Sequence, residues 1–573
     1  MAPPTSALRA LFYVWLPYLC TPRAATAAAH ALNPHSRAKT PRAAAAAAHA
    51  PPPHPRAKRN VLLIVADDLG YNELGFMNTS RGLHTPHLDF LASQGVALRN
   101  YYVQPICSPT RSSLMTGRYP LRIGTQANVI YWDTPWSIAL NQTFLPQYLQ
   151  RVESDYATAL FGKWHLGAHA DRFAPWNRGF DEHVGYLQGC GGGWTHISSC
   201  CQAGPRPTED DGFICGAQHP KDFRGYDWFA DRGQPDLSAN GTRSAEIIRA
   251  NAVRFLKATA SSGKPFFLYL PFQNIHGPYD APAIWKALYQ NQSTRFTDDE
   301  MVMYGYLSEM DDVVGTIYRT LVNLDLYDDT LIVFTSDNGA PNAKQVRDRN
   351  WPLRGFKTQL WEGGTKVPAF LSGGVVPAAR RGTVSKALLH VTDMLPTILS
   401  AVFHDDPPEL PDSVDGIDFW EDVIVKGGDS SRNEMVYNIN PLCESGQAGV
   451  PKAAIRVGMH KLMVYCYEVA GRAGGNKTGP VAPRDGLFKW PFGNKTTVLF
   501  DLESDPSETT DISSAKPNVV QALLARLKEV ADQHMVEPMQ WVKPYQGSSY
   551  ECADCELRPA VNDPWAPWTP WID

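Results

Sequence analysis

Two pairs of oxygen-bearing residues and one cysteine in this 573-residue chain are spaced to do chemistry. Asp67 and Asp68 follow the apolar run Val61 to Ala66, and Gly70 comes two residues later. Successive side chains on a strand point to opposite faces, so neighbouring carboxylates can share one ion only where the strand stops and the backbone turns; Gly70 permits such a turn. Asp337-Asn338-Gly339 closes a second apolar run in the same manner. Each cluster alone has an ordinary reading, an acidic pair capping a helix or an Asn-Gly tight turn. Together they offer only oxygen ligands, which suits Ca²⁺ or Mg²⁺ better than zinc. The third element is Cys107-Ser108-Pro109-Thr110-Arg111. The helix-like Ser112 to Gly117 that follows places this cysteine at a helix N-terminus, where free N–H groups and the positive dipole end attract anions. An isolated cysteine reads as a buried structural thiol. The adjacent arginine, the anion-suited location and the separation from the other cysteines give this one the placement of a nucleophile.

These groups need a scaffold that brings them together. From Asn60 onward apolar runs alternate with helical patterns, which predicts a doubly wound α/β domain with a large mixed or parallel sheet. Val61 to Ala66, Pro265 to Leu270 and Thr330 to Thr335 are continuous apolar stretches of the kind buried on both faces of a parallel sheet. Each runs into polar residues, namely Asp67-Asp68, Asn274 to His276 and Asp337-Asn338. Ligands of open parallel sheets sit beyond the carboxyl ends of the strands, so the three clusters can converge there. Past about Glu434 the texture shifts to short strands at Ala453 to Gly458, Lys461 to Tyr467 and Val498 to Leu502, then an amphipathic helix at Val519 to Ala531. That pattern predicts a smaller C-terminal α+β domain, giving a leader over 1–59, a catalytic domain over 60–433 and a small domain with its tail over 434–573.

Cys107-x-Pro-x-Arg111 followed by Thr116-Gly117-Arg118 resembles the signature of the type I sulfatases, a family with an alkaline-phosphatase-like fold. Gly162-Lys163-Trp164-His165-Leu166-Gly167 resembles the family's second signature, and the Asp337 turn and Trp351 to Gly364 match as well. Within the family the chain looks most like the arylsulfatase B group, through segments such as Asp415 to Trp420 and Ala453 to Gly458. The resemblance implies a sulfuric ester hydrolase acting on sulfated carbohydrates or aryl sulfates. It implies that Cys107 is oxidised to Cα-formylglycine by the formylglycine-generating enzyme, and that Asp67, Asp68, Asp337, Asn338 and the modified Cys107 ligate one Ca²⁺. Arg111, Lys163 and His165 would hold the aldehyde hydrate, while His276 and Lys357 would contact the sulfate and its leaving oxygen. Taken singly, such lysines are usually solvated and such histidines structural. Thr110 stands where Ser is common and Glu73 where Asp is common. The stretch Ile123 to Leu140 lacks the cysteine pair of close arylsulfatase B relatives, so disulfide pairing and substrate pocket are not carried over. Two other readings stay open: a phosphodiesterase or phosphonate hydrolase of the same superfamily, and a non-catalytic glycan-binding glycoprotein. Two-zinc members place His where this chain has Asn338.

Composition bounds the setting. The chain carries 53 basic and 58 acidic residues, yet no acid occurs before Asp67, so the first 66 residues carry +8 and the rest −13. A body of that sign does not coat a polyanion, which argues against a nucleic-acid partner. Arg9, the apolar run Ala10 to Cys20 and the small residues near Ala25 match a secretory signal peptide too short to span a bilayer, with an organellar transit peptide as the alternative. Cys190, Cys200, Cys201, Cys215, Cys443, Cys466, Cys552 and Cys555 read as a disulfide framework. Sequons at Asn78, Asn141, Asn240, Asn291, Asn476 and Asn494 fit a glycoprotein of the secretory pathway, lysosomal or extracellular.

Overall fold

The computed structural model describes residues 59–539 apart from 78–80, 132–135, 200–223, 231, 343–347, 405, 441–450 and 466–496. The expected leader and tail, the sequons at Asn78, Asn476 and Asn494, and every cysteine assigned to the disulfide framework except Cys190 lie outside these residues.

The three apolar runs form adjacent strands at the centre of a mixed sheet. Asn60–Ala66 pairs in parallel with Thr330–Ser336 on one side and Phe266–Pro271 on the other. Phe266–Pro271 in turn pairs in parallel with Ala157–Lys163, and that strand with Glu182–Tyr186. Ala369–Ser372 extends the other side antiparallel, and short strands finish both edges to make ten in all among the described residues. Every residue of Asn60–Ala66 is buried because both faces are covered. Leu62 and Ile64 point into a core built with the helices Pro86–Ser93, Ser244–Ser262 and Asp298–Asn323. Val61, Leu63 and Val65 point into the opposite core with Cys107–Thr116, Leu145–Val152 and Met394–Phe403. The long helix Asp298–Asn323 starts from a capping box in which Thr297 and Glu300 satisfy each other's backbone N–H groups, with three acids in its first turn.

A second sheet of four antiparallel strands follows, Glu434–Ile439, Pro451–Val457, His460–Tyr465 and Thr497–Asp501. Its strands alternate cleanly. Val436, Ile455, Leu462 and Leu499 meet Leu523, Leu527 and Val530 of the helix Pro517–His534. Met435, Tyr437, Met463 and Phe500 face the other way and pack on Tyr102, Leu360 and Trp361 of the large-sheet region. The observed elements reproduce the expected large mixed sheet with a smaller C-terminal antiparallel sheet and helix. The first strand of the small sheet was not expected from the sequence.

Candidate active site

Four neighbouring parallel strands deliver polar residues to one end of the large sheet. Asp67 and Asp68 follow Asn60–Ala66, Asp337 and Asn338 follow Thr330–Ser336, Lys163 ends Ala157–Lys163, and His276 lies five residues beyond Phe266–Pro271. Backbone bonds lock the ends together: Asp67 N–H donates to the Asn274 carbonyl at 2.9 Å and Asp337 N–H to the Ala66 carbonyl at 3.1 Å. The turn that lets both carboxylates face one place is at Asp68, which has φ 60°. Gly70 is required for a different reason than the one expected: a Cβ there would lie 2.4 Å from the Arg349 carbonyl oxygen. Arg349 donates to Glu73 Oε1 at 2.7 Å, to Glu73 Oε2 at 3.1 Å and to the Asp68 carbonyl at 2.7 Å, which holds the left-handed residue in place. Gly162 likewise allows the Lys163 strand to close on its neighbour, since a Cβ there would meet the Pro271 carbonyl at 2.1 Å and its φ is +130°.

Cys107 opens the helix Cys107–Thr116, all ten residues of which are buried. Its Sγ lies 3.8 Å from Asp67 Oδ1. One ligand atom each from Asp67, Asp68, Cys107 and Asp337 fall within 4.8 Å of one another. Asn338 donates through Nδ2 to Asp68 Oδ1 at 2.7 Å, and its Oδ1 is buried with no partner. A group of carboxylate, amide and thiol donors with an unpartnered oxygen among them fits a hard divalent cation.

Three cations close around these acids. Lys163 Nζ is 2.7 Å from Asp67 Oδ2, Lys357 Nζ is 2.7 Å from Asp68 Oδ1, and Arg111 donates to Asp337 Oδ2 through Nε and Nη2 at 3.0 and 2.7 Å. Arg111 Nη1 is buried and unpartnered. His276 Nε2 stands 3.6 Å from Asp68 Oδ2 while its Nδ1 is 2.6 Å from the Gly277 carbonyl, so the ring carries its proton on Nδ1. His165 is fixed the other way round: Nε2 donates to the Ile130 carbonyl at 3.1 Å and Nδ1 is left as a buried, unpartnered acceptor.

Burial and crowding set the protonation states. Burial, reinforced by Asp337, pushes the Asp67 carboxyl up to about 7 in spite of Lys163 and Arg111. Burial opposes ionisation of Asp68 and Asp337 too, but Lys357 and His276 hold Asp68 below the usual carboxylate range, and Arg111 and Lys163 do the same for Asp337. Burial and then the Asp337 charge raise the Cys107 thiol to about 12, where it keeps its proton and is a poor nucleophile at neutral pH. Burial, with Lys163 and Arg111, keeps His165 neutral, and burial takes His276 down to about 3. Both lysines resist the lowering effect of burial because Asp67 and Asp68 face them, and they remain ammonium ions.

The family model described as Sulfatase matches residues 59–403 of this chain. The chain belongs to the sulfatase family. Arylsulfatase J of Mus musculus is 31% identical over 526 residues, covering 89% of this chain and 80% of that protein. The N-acetylgalactosamine-6-sulfatase of Sus scrofa is 29% identical, covering 83% and 85%. Among solved structures, the crystal structure of Ps i-CgsB superimposes with a TM-score of 0.65 at 25% identity, covering 84% of this chain and 94% of that one.

All ten residues singled out in the sequence occur at this one end of the sulfatase sheet, and all are buried. Several supporting groups were not foreseen. Ile130, which fixes the His165 ring, lies in the stretch where the chain departs from the arylsulfatase B pattern, and a backbone carbonyl leaves no side-chain signal. Asn274 ties the His276 turn to the helix Asp298–Asn323 through the Tyr306 carbonyl at 2.8 Å. Among the described residues Cys190, assigned to a disulfide, has no partner cysteine; the other seven of that framework lie outside them. It sits on the wall of the site, where Lys163, Lys357 and Asp67 are near enough to act on its ionisation, with burial the largest influence. Among the described sequons, Asn141, Asn240 and Asn291 are exposed, as attachment requires. No helix of the described residues is long and apolar enough to cross a membrane.

Proposed function

We propose that this chain is a Ca²⁺-dependent sulfuric ester hydrolase that acts through a formylglycine derived from Cys107, with sulfated carbohydrate as its substrate class. The observation that carries the reading is the meeting of the buried Cys107 Sγ with Asp67, Asp68 and Asp337 inside a ring of three cations. With all three ionised, the carboxylates of the pocket balance Arg111, Lys163 and Lys357. A divalent cation held by Asp67, Asp68, Asp337, Asn338 and residue 107 would make it positive, and so complementary to a sulfate monoester and to the charge that grows on its oxygens during transfer. The aldehyde, once made and hydrated, supplies a hydroxyl nucleophile and a second hydroxyl able to release the bound sulfate, which neither a thiol nor a serine could do.

The side chains divide the remaining work. Arg111 Nη1, buried and unpartnered, is a spare donor for an incoming anionic oxygen. His165 Nδ1, left as an acceptor by the Ile130 carbonyl, suits a proton acceptor for a hydroxyl on residue 107. Lys357 and His276 flank Asp68 and are suited to meet the leaving oxygen. Because the His276 proton is on Nδ1, Nε2 delivers a proton only from the imidazolium, and Lys357 is the standing donor on that side. Printed names of relatives support the substrate class: one acts on N-acetylgalactosamine 6-sulfate by its name, and Ps i-CgsB was solved in complex with k-i-k-neocarrahexaose. The signal-like leader and the three exposed sequons support passage through the secretory pathway, where the formylglycine-generating enzyme would be met. The test is sulfate release from a chromogenic aryl sulfate and from sulfated oligosaccharides by the secreted protein. Release that is lost on chelation and restored by Ca²⁺ is expected. Release of phosphate or phosphonate instead, with two zinc ions per chain, would replace this reading with the phosphohydrolase one.

A further inference from the structure

One wall of the site is the segment from Leu187 to His196, between the strands Glu182–Tyr186 and Ile197–Ser199. Its backbone presses directly on the site: a Cβ at Gly189 would lie 2.8 Å from His165 Cε1, and the Gly191 carbonyl accepts from Gln273 Nε2. Trp194 follows three residues later, a span of at most about 10 Å, and its side chain is 41% exposed. The segment around it is anchored at the start of the helix Ser244–Ser262, where Gly241 N–H donates to the Trp194 carbonyl and Ser244 N–H to the Gly193 carbonyl, both at 2.9 Å.

The indole is held from one side by Arg243, whose Cζ is 5.2 Å from the Trp194 ring and 5.2 Å from the Tyr306 ring. That guanidinium is itself immobile. It donates to Glu309 Oε1 at 3.0 Å and to Asp280 Oδ1 at 2.6 Å. Asp280 lies four residues after His276, so Arg243 joins the Trp194 wall to the turn that carries His276. Glu309 Oε2 in addition accepts from Asn274 Nδ2 at 3.3 Å. A partly exposed aromatic surface, backed by a doubly paired arginine and carried on the segment that walls the site, matches what a pyranose needs. The apolar C–H face of a sugar ring stacks on an aromatic face while its substituents reach polar groups deeper in the site. An exposed tryptophan elsewhere would need no explanation; this one follows Gly189, which abuts His165, by five residues and is tied through Arg243 to Asp280, four residues after His276.

We propose that Trp194 is the stacking platform for a sugar ring of the substrate. The proposal rests on the hydrolase reading for its biological meaning but not for its test, which is a binding measurement. In a Cys107→Ala background, titration calorimetry is run with inorganic sulfate and with chondroitin 4-sulfate, chondroitin 6-sulfate and κ-carrageenan tetrasaccharides. Trp194→Ala is expected to weaken the best-bound tetrasaccharide about tenfold while leaving inorganic sulfate within twofold, and Trp194→Phe to recover most of the loss. With Cys107 intact, the same change is expected to raise KM for that tetrasaccharide and leave its kcat within twofold. Equal weakening of sulfate and sugar would mean that Trp194 only shapes the wall, and would overturn the proposal. So would the absence of any Trp194-dependent loss across the tetrasaccharides. Trp194-dependent sugar binding by a protein that hydrolyses no sulfate ester would uphold the platform and sink the hydrolase reading instead.

Discussion

Lys163 and Lys461 are both fully buried lysines, 2.7 Å from Asp67 and 2.9 Å from Glu362, yet their surroundings are built to different ends. Lys461 sits where the small sheet meets the large one. Glu362 Oε2 accepts from Tyr102 at 2.6 Å, its Oε1 accepts from Tyr437 at 2.8 Å, and Lys461 spans to Glu508 at 2.8 Å. Glu508 reaches back to the Glu362 N–H at 2.8 Å, which closes the circle. Around Lys163, by contrast, Arg111 Nη1, His165 Nδ1 and Asn338 Oδ1 are buried without hydrogen-bond partners, whereas Glu508 Oε1 at the junction, which also lacks an aligned hydrogen bond, is ion-paired with Lys461. Buried polar atoms normally find partners, and an unsatisfied one costs about 1–3 kcal/mol. One cluster therefore uses charge to fix how two sheets meet, and the other withholds bonds so that a cation and an anion can complete them.

That contrast can be broken by experiment. The largest effect is expected at Cys107: Cys107→Ala should lower sulfate release by at least about 10⁴-fold without lowering the melting temperature. Loss of stability with activity retained would reverse the assignment. The opposite signature is expected at the junction. Lys461→Ala strands two buried carboxylates and should cost about 3–5 kcal/mol in chemical denaturation, with kcat per folded molecule kept within a few-fold. A next, smaller effect belongs to the cation. Ca²⁺ at a hundred times its dissociation constant should stabilise the protein by about 2.7 kcal/mol, seen as a rise in melting temperature that Asp337→Ala abolishes. No rise with Ca²⁺ would remove the hard-cation site.

The smallest effect is a pH dependence at the junction. Burial, with the Glu362 charge adding to it, raises the Glu508 carboxyl from 4.5 to about 7. Because its folded-state value is the higher one, its contribution to stability is complete below about 4.5 and is lost as pH rises through about 7. Glu362 is shifted the other way, to about 2: burial opposes this, but Lys461, Lys366 and Arg456 together outweigh it, and its effect is confined to lower pH. The melting temperature of the parent protein should therefore fall relative to Glu508→Gln between about pH 4.5 and 7. A difference that is flat across this window would show that Glu508 ionises freely in the fold.

Sequence reading reached the two regions unequally, for physical reasons. The three central strands were legible because burial on both faces demands unbroken apolar runs, and their polar successors marked the site end of the sheet. Ala157–Lys163 is buried from its second residue onward but carries Thr158 and Gly162, which interrupt the run, so Lys163 was reached only through its motif. The pairing within the Lys461 cluster left no trace, although Glu362 lies in the matched segment Trp351 to Gly364 and Lys461 opens an expected strand. Lys461 and Glu508 lie 99 and 146 residues from Glu362 along the chain, and charged residues at such distances read as solvated surface until a fold joins them. The location of the turn was also missed, because the left-handed residue is Asp68, held by Arg349 from far along the chain, and not the nearby glycine. Trp194 gave no signal either, since nothing local announces that Arg243 and Asp280 will converge on it.

The central claim is that Cys107 is converted to an aldehyde inside this ring of charge. The mass of the tryptic peptide Asn100 to Arg111, taken from protein secreted by a eukaryotic host that is actively turning over an aryl sulfate, tests it directly. A peptide about 18 Da lighter than the cysteine form is the expected result. An unmodified thiol in protein with full Ca²⁺-dependent sulfate release would contradict the account.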